Sequence, residues 1–382
     1  MKTFKMLTSI HFGDNALDRL KEIPYQRIMV ITDPFVVSSG MIDMITGRLE
    51  SVDKTYMVYS EIVPDAPIDK ISAGVEAFLK YCPDCIISLG GGSAIDSAKA
   101  IREFATKIDE KKGDVPMIAI PTTSGTGSEV TSFAVVNDPV AKIKYPLVDD
   151  RLSAQEAILD AELVKSVPPS VTADTGMDVV THAIESYVST NHNEFSAALA
   201  EKSLEICGVF LLRAYNDGAD NHARQKMHVA SCLAGLAFNT ASLGINHSLA
   251  HQLGAQFHIP HGRANAMLLP SVITFNSGID HYSRSQKEYL SAAERYATAA
   301  HVLGLSSFNT VMGVRSLINW TQFMNEEMNI PKRVSDIGTI EPADYFAKID
   351  EMAANALKDS CTATNPREVT VEDLKKLLIE LW

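Results

Sequence analysis

Four of the eleven histidines fall in one stretch, Asn246 to Pro270, NHSLAHQLGAQFHIPHGRANAMLLP. His247 and His251 are four residues apart, so on a helix they share a face. His258 and His261 follow, and His261 lies between Pro260 and Gly262, where a second helix would begin. A lone histidine on an apolar helix is usually a core residue. Four this close point instead to a metal or proton-transfer site, since imidazole is both the commonest ligand and the commonest switch. Well upstream, Asp178-Val179-Val180-Thr181-His182 sets a carboxylate and an imidazole at i and i+4, on one side of a helix. Val179, Val180, Ala183 and Ile184 make that helix largely buried, and a buried carboxylate needs a partner such as a cation. Asp178 and His182 with two of the downstream imidazoles would supply one oxygen and three nitrogens without sulfur, a set suited to Fe(II) or Zn(II). With a coordination position open, such an ion polarises a carbonyl.

Two loops carry a different chemistry. CIISLG runs into Gly91-Gly92-Ser93-Ala94-Ile95-Asp96 and then a helical pattern. Glycines at a strand-to-helix turn let a phosphate reach backbone amides at a helix N-terminus. Ser93 is expected to be the N-cap, with Asp96 at the third helical position. The second loop, Pro121-Thr122-Thr123-Ser124-Gly125-Thr126-Gly127-Ser128-Glu129, is dense in hydroxyls that suit a ribose or diphosphate. Two such loops from two strand ends would line one crevice of an open sheet. Neither is G-x-G-x-x-G, so the residues alone support a nucleotide or dinucleotide and no more. Asp33 ends the apolar run RIMVITD, where a carboxylate accepts from ribose hydroxyls and repels a 2'-phosphate; a turn residue before Pro34 is the plainer reading.

The elements that must position these residues alternate in the first part of the chain. Strands are expected at 27–33, 55–63, 85–90 and 117–121, and helices at 38–50, 68–81 and 93–107. That alternation implies βαβ units and a mostly parallel sheet. Past SVPPS (166–170) strand-like runs nearly vanish, and long amphipathic stretches such as 194–214 and 284–303 take over. The fold class expected is an α/β N-terminal domain with a parallel sheet, residues 1–168, plus an all-helical C-terminal domain, residues 169–382. A hinge at Val167–Pro169 would put a ligand cleft between them.

Composition bounds the function. The chain has 382 residues, 46% apolar and 21% charged, with a net charge of −13. An acidic surface repels phosphate backbones, which argues against nucleic acid as a partner. No stretch approaches the roughly 20 apolar residues that span a bilayer, so no membrane is expected. The N-terminal MKTFKMLTSIHFG lacks the apolar block of a signal peptide, which reads as cytoplasmic. Five cysteines in such a chain are expected to be reduced; Cys82 and Cys85 form a C-x-x-C with no second pair, so Cys85 is read as packed in a strand.

The stretches GGGSAIDSAKA, IPTTSGTGSEVT, TGMDVVTHAIE, INHSLAHQLGAQFHIPHGRANA and CTATNPR resemble the iron-containing (group III) alcohol dehydrogenases. IKYPL, ALAEK and GLAFN carry a finer likeness to the 1-propanol dehydrogenases of bacterial microcompartments. The resemblance implies a Rossmann-like N-terminal domain, NAD as cofactor and Fe(2+) as metal, with Zn(2+) the alternative. The metal ligands it implies are Asp178, His182, His247 and His261. His251 matches a histidine near the substrate, suited to relay a proton, and His258 has only a supporting part. The cofactor would meet Asp33, Gly91, Gly92, Ser93, Asp96, Thr122, Thr123, Thr126 and Lys144, with Asp33 favouring NAD over NADP. The substrate implied is a short aldehyde such as propanal, reduced to the primary alcohol; Phe133 and Phe238, beside motif residues, would either wall its pocket or simply pack in the core.

The implied partners are a second copy of the chain, with TSIHFG pairing between subunits, and microcompartment enzymes such as an aldehyde dehydrogenase. Three rival readings stand beside this one. A polyol dehydrogenase or cyclase on the same scaffold would match less well at TGMDVVTHAIE and PHGRANA. A nucleotide-independent metal hydrolase would leave both glycine loops unexplained. A non-catalytic microcompartment scaffold would have no use for the intact ligand positions.

Overall fold

The computed structural model describes residues 3–64, 66–109, 114–138, 143–279 and 290–382. It divides into two compact units, Met1–Ser166 and Val167–Trp382.

The first unit is built on strands β1 (Ser9–Phe12), β2 (Arg27–Ile31), β3 (Thr55–Tyr59), β4 (Cys85–Gly90), β5 (Met117–Pro121) and a sixth strand introduced below. Between them run helices α1 (Pro34–Ser38), α2 (Asp43–Glu50), α3 (Ile68–Tyr81) and α4 (Gly92–Ile108). An antiparallel hairpin, β6 (Phe133–Asp138) and β7 (Ile143–Val148), precedes β8 (Glu156–Leu159). The sheet order is β1-β8-β5-β4-β2-β3, every pairing parallel. Strand residues alternate between two buried faces. Met29, Ile31, Ile86 and Met117 pack with Val75, Phe78 and Ile101 of α3 and α4. Ile28, Val30, Ile87, Leu89 and Ile158 pack with Leu17, Leu20, Ile45 and Leu49 on the other face. A parallel sheet covered on both sides accounts for the continuous apolar runs of its strands.

The chain order moves outward from β2 to β3, then returns to the far side of β2 for β4, β5 and β8. The strand order therefore reverses between β2 and β4, and the crevice at their carboxyl ends is where open α/β sheets bind ligands. Asp33 follows β2 and the glycine turn follows β4, so the topology brings these two sequence candidates together.

Some boundaries differ from the sequence expectation. The helix expected over 38–50 is broken into α1 and α2, with Gly40 at φ +75 in the turn between them. β2 and β3 stop at Ile31 and Tyr59, short of 33 and 63, because their mutual register ends there. TSIHFG contributes β1, which pairs with β8 of its own sheet. Cys85 is buried in β4, while Cys82 is an exposed left-handed C-cap of α3, and neither is in a disulfide.

In the second unit every named element is helical: α5 (Pro169–Val188), α6 (Glu194–Asn216), α7 (Asn221–Ala241), α8 (Ile245–Phe257), α9 (His261–Ser277), α10 (Leu290–Val302), α11 (Thr310–Glu327), α12 (Pro342–Lys358) and α13 (Val371–Leu381). Of the stretch expected over 284–303, residues 284–289 lie outside the described residues. α5 is buried nearly all round from Thr172 to Val188 and forms the axis of this unit's core. Among the described residues no single helix is long and apolar enough to cross a membrane.

Candidate metal centre and cofactor loops

Asp178 and His182 lie mid-way along α5, His247 in the first turn of α8, and His261 is the first residue of α9. Their ligand atoms all lie within 4.8 Å of one another. Asp178 Oδ1 is 3.8 Å from His247 Nε2 and 3.6 Å from His261 Nε2. The rings of His182 and His247 are stacked with centroids 4.6 Å apart. Metal–ligand bonds to nitrogen and oxygen run about 2.0–2.2 Å, so donors spaced like this can share one ion. Burial, with the neighbouring imidazoles, pushes His247 well below the ordinary histidine value, which keeps it neutral and able to ligate. Asp178 and His247 are almost fully buried, while the side chain of His261 is 41% exposed, so the cage is open on one side.

Local structure explains the convergence. α8 ends at His258, whose left-handed conformation (φ 55) closes the helix, and Ile259 and Pro260 lead directly into α9. His258 is thus a helix cap, in keeping with its expected supporting part. α9 then crosses α5 at van der Waals contact. A Cβ added to Gly262 would lie 2.0 Å from the Asp174 carbonyl oxygen, so only glycine permits this crossing. Arg263 clamps it with two hydrogen bonds to the Asp174 carboxylate, both 3.1 Å.

Three further residues organise the cage, and none was singled out from the sequence. Asn265 Nδ2 donates to Asp178 Oδ1 at 2.7 Å and lies 3.1 Å from Nε2 of both His247 and His261. Glu185 meets His247 Nδ1 at 2.5 Å. Asp359 accepts from His251 Nδ1 at 2.8 Å. Burial would raise the Asp359 carboxyl, but the hydrogen bond and charge of His251, with the Cys361 amide, hold it below its ordinary value. Glu185 had a signal, since it stands at i+7 from Asp178 on the same face of α5. Asn265 had one too, at i+4 from His261. Asp359 had none beyond its place just before CTATNPR, because its partner is 108 residues away.

His251, one turn beyond His247, stacks its ring on His261 at 5.4 Å between centroids. Phe238 of α7 stacks on His182 at 4.4 Å, so it does face the cage. Phe133 belongs to the first unit, where its carbonyl accepts from Lys99 Nζ at 2.8 Å.

In the first unit the two loops pack on each other. A Cβ on Gly91 would touch the Thr123 hydroxyl at 3.5 Å, and one on Gly92 would meet the Thr126 methyl at 2.9 Å. Gly90 turns the chain out of β4 at φ +152, and Gly91, in extended backbone, is the N-cap of α4. Ser93 is therefore not the N-cap expected from the sequence. The glycines begin the helix earlier, at Gly92, which leaves Ser93 inside the first turn. A helix that opens on glycine at a strand end is the arrangement that can receive an anion at its N-terminus.

Asp96 consequently lies deeper in α4. Its Oδ1 accepts from the Ser128 hydroxyl at 2.5 Å and its Oδ2 from the Val135 amide at 3.0 Å, so it fastens the second loop. Lys99, fully buried one turn on, donates to Ser128 Oγ, Thr131 Oγ1, and the carbonyls of Thr131 and Phe133. Burial lowers this lysine to about 8 and raises buried Glu129 to about 7. Thr122 continues β5 with its amide on the Gly90 carbonyl at 3.0 Å. Asp33 caps α1 through Val36 N at 3.0 Å, and its other oxygen lies 3.4 Å from where a Gly90 Cβ would be. Asp33 thus has the capping part and lies beside the glycine turn. Lys144 falls in β7, and its side chain lies outside the described residues.

Comparison with known proteins agrees with this geometry. The sequence model "Iron-containing alcohol dehydrogenase" matches residues 8–161, and "Fe-containing alcohol dehydrogenase family, C-terminal" matches 172–382. The chain is 41% identical to 1-propanol dehydrogenase PduQ of Salmonella typhimurium over 383 residues, covering 100% of both. It is 37% identical to an NADPH-dependent butanol dehydrogenase of Clostridium saccharobutylicum, covering 99% of this chain and 97% of the relative. Among solved structures, an alcohol dehydrogenase from Oenococcus oeni superimposes with a TM-score of 0.91 at 31% identity over 100% of both chains.

Proposed function

The chain belongs to the iron-containing alcohol dehydrogenase family, and from that premise we propose that it reduces propanal and similar short aldehydes to primary alcohols with NADH. Membership makes it an oxidoreductase that interconverts aldehydes and alcohols with a nicotinamide cofactor and iron. The choice of substrate, the assignment of each site residue and the assembly are our reading. One observation carries it: an oxygen and three nitrogens from α5, α8 and α9 converge within 4.8 Å.

That donor set fits a divalent ion of the Fe(II) or Zn(II) kind. When bound, the ion supplies a Lewis acid for a carbonyl oxygen and the nicotinamide supplies the hydride. Asp178, His182, His247 and His261 hold the ion. His251 serves as proton relay, since Asp359 occupies its Nδ1 and leaves Nε2 for exchange with the oxygen that becomes a hydroxyl. Phe238 offers an apolar surface beside His182, which suits an alkyl chain better than a polyol. Overall an aldehyde, NADH and one proton become an alcohol and NAD.

For the cofactor we assign Gly91, Gly92 and Ser93 to the pyrophosphate and Thr122, Thr123 and Thr126 to the nicotinamide half. Asp33 favours NADH, because its carboxylate would oppose a 2'-phosphate. Asp96 supports the loop, and Lys144 is retained as a cofactor contact on the resemblance alone. A homodimer is also proposed, since β1 is an edge strand with one side open and Phe12 exposed. Residence in a microcompartment beside an aldehyde dehydrogenase rests on the likeness to 1-propanol dehydrogenases.

The test is anaerobic. Metal-free protein is loaded with Fe(II) or Zn(II), and the absorbance of NADH and of NADPH is followed with propanal, butanal and a polyol-derived aldehyde. Metal-dependent oxidation, fastest with NADH and propanal or butanal, is expected. Absence of metal-dependent NADH oxidation with every short aldehyde would refute the reading.

A further inference from the structure

α5 offers three polar side chains to the cage at i, i+4 and i+7: Asp178, His182 and Glu185. The third is no ligand, although it is 3% exposed and its Oε2 lies 2.5 Å from His247 Nδ1. Its Oε1 accepts from the Asn246 amide at 2.8 Å, at the start of α8. One carboxylate thus ties both the backbone and the ring of the first α8 ligand to the helix that carries two others.

Which partner holds the shared hydrogen decides which ring nitrogen of His247 offers its lone pair to the cage. Burial alone would favour a protonated Glu185, which would donate to Nδ1 and leave the ring hydrogen on Nε2, facing the cage. The neighbouring amides oppose that arrangement. Asn246 Nδ2 lies 3.1 Å from the Asn265 backbone carbonyl, which can only accept, so the orientation of the Asn246 amide is settled. Asn246 Nδ2 also lies 2.9 Å from Asn265 Oδ1, which settles the Asn265 amide in turn. Asn265 therefore turns its NH2 toward Asp178 Oδ1 and toward Nε2 of both His247 and His261. An NH2 does not accept, so a hydrogen on Nε2 would face a donor; the geometry favours Nε2 as acceptor, with Nδ1 carrying the hydrogen toward Glu185.

We propose that Glu185 is a positioning residue that locks His247 in the Nδ1–H tautomer, aims its Nε2 lone pair into the cage, and thereby sets the affinity for the metal. The inference rests on the reading of Asp178, His182, His247 and His261 as the ligands. Outer carboxylates on ligating histidines change affinity about 10–100-fold when replaced. Glu185→Gln is the informative change because it keeps the shape. With its oxygen on the Asn246 amide, the glutamine must point NH2 at Nδ1, which drives the ring hydrogen to Nε2.

The experiment measures Zn(II) affinity of the full chain by chelator competition, for wild type, Glu185→Gln and His247→Ala. It also records the 15N spectrum of labelled histidines in the metal-free protein. Expected are a loss of about 10–100-fold in Glu185→Gln, a larger loss in His247→Ala, and a His247 signal that changes from the Nδ1–H to the Nε2–H pattern in Glu185→Gln. Zn(II) affinity of Glu185→Gln within about threefold of wild type, with metal lost in His247→Ala, would overturn the role of Glu185 alone. Retention of metal by His247→Ala would overturn the ligand reading itself. Should Glu185→Gln fail to fold, the wild-type spectrum still decides, because an Nε2–H tautomer of His247 there would overturn the proposal.

Discussion

Replacing Gly262 with alanine separates the demands of a helix from those of the metal cage. Gly262 is the second residue of α9, immediately after His261. On helix propensity alone, alanine should stabilise the protein by up to about 1 kcal/mol. The tertiary contact reverses the sign. The new Cβ would stand 2.0 Å from the Asp174 carbonyl oxygen and 2.6 Å from its carbon. Both are backbone atoms in the middle of a buried helix and cannot swing aside. An ordinary contact needs more than about 3 Å, so α9 must retreat from α5 by about 1 Å or more. Overpacking of this kind costs about 1–3 kcal/mol. The larger effect falls on the metal, because coordination distances tolerate only about 0.2 Å. His261 moves with α9, Asp178 and His182 stay with α5, and the four donors no longer share a centre. We expect Gly262→Ala to lose metal affinity by more than the 10–100-fold of an outer-sphere change, with a lower Tm. Gly47→Ala in α2 is the control: it is exposed, nothing lies within 4 Å of the added Cβ, and it should be neutral or slightly stabilising. The assays are metal content after anaerobic loading with Fe(II), chelator competition and thermal unfolding. Wild-type metal affinity in Gly262→Ala would show that the α5–α9 crossing does not set the ligand geometry.

Two other outcomes follow from the same structure. His261→Ala should lose bound metal, whereas His251→Ala should keep it and lose turnover, because Asp359 takes the Nδ1 of His251 and His251 is not among the four converging donors; metal loss in His251→Ala with retention in His261→Ala would reverse the assignment. Burial holds Glu129 at about 7 against an ordinary 4.5, so between those values the folded chain keeps a proton that the unfolded chain has lost. The contribution of this group to stability therefore falls as pH rises from 4.5 to about 7 and is level above. Glu129→Gln removes that penalty, less what Lys99 returns as a neighbouring cation, and should gain at most about 3 kcal/mol at pH 8 but little near pH 4; a Tm difference from wild type that does not change with pH would refute it.

Much was legible in the residues alone because the physics behind it is local. Alternating apolar runs and helical periods marked the parallel sheet and the helical remainder. The i, i+4 spacing of Asp178 and His182 put two donors on one face, and the glycines after CIISLG marked a strand-to-helix turn. The stretch 246–270 showed that histidines mattered, but spacing could not say which of them bind. His247 and His251 share a helix face, yet one points into the cage and the other to Asp359. That division depends on how α8 and α9 pack on α5, and it was supplied beforehand only by family resemblance.

Ser93 as N-cap failed for a local reason, since the turn needed one glycine more than the pattern suggested. Asp96 was read as part of a cofactor loop when its oxygens hold that loop in place. Glu185, Asn265, Asp359 and the crossing at Gly262 were decided by tertiary structure. Each acts through a partner distant in sequence or through contact between helices, and neither composition nor periodicity records which atoms a fold brings together. The sequence by itself determined the donor types, the nucleotide loops and the two kinds of architecture. Only packing determined which imidazole nitrogens converge with Asp178, because that depends on how α5, α8 and α9 meet.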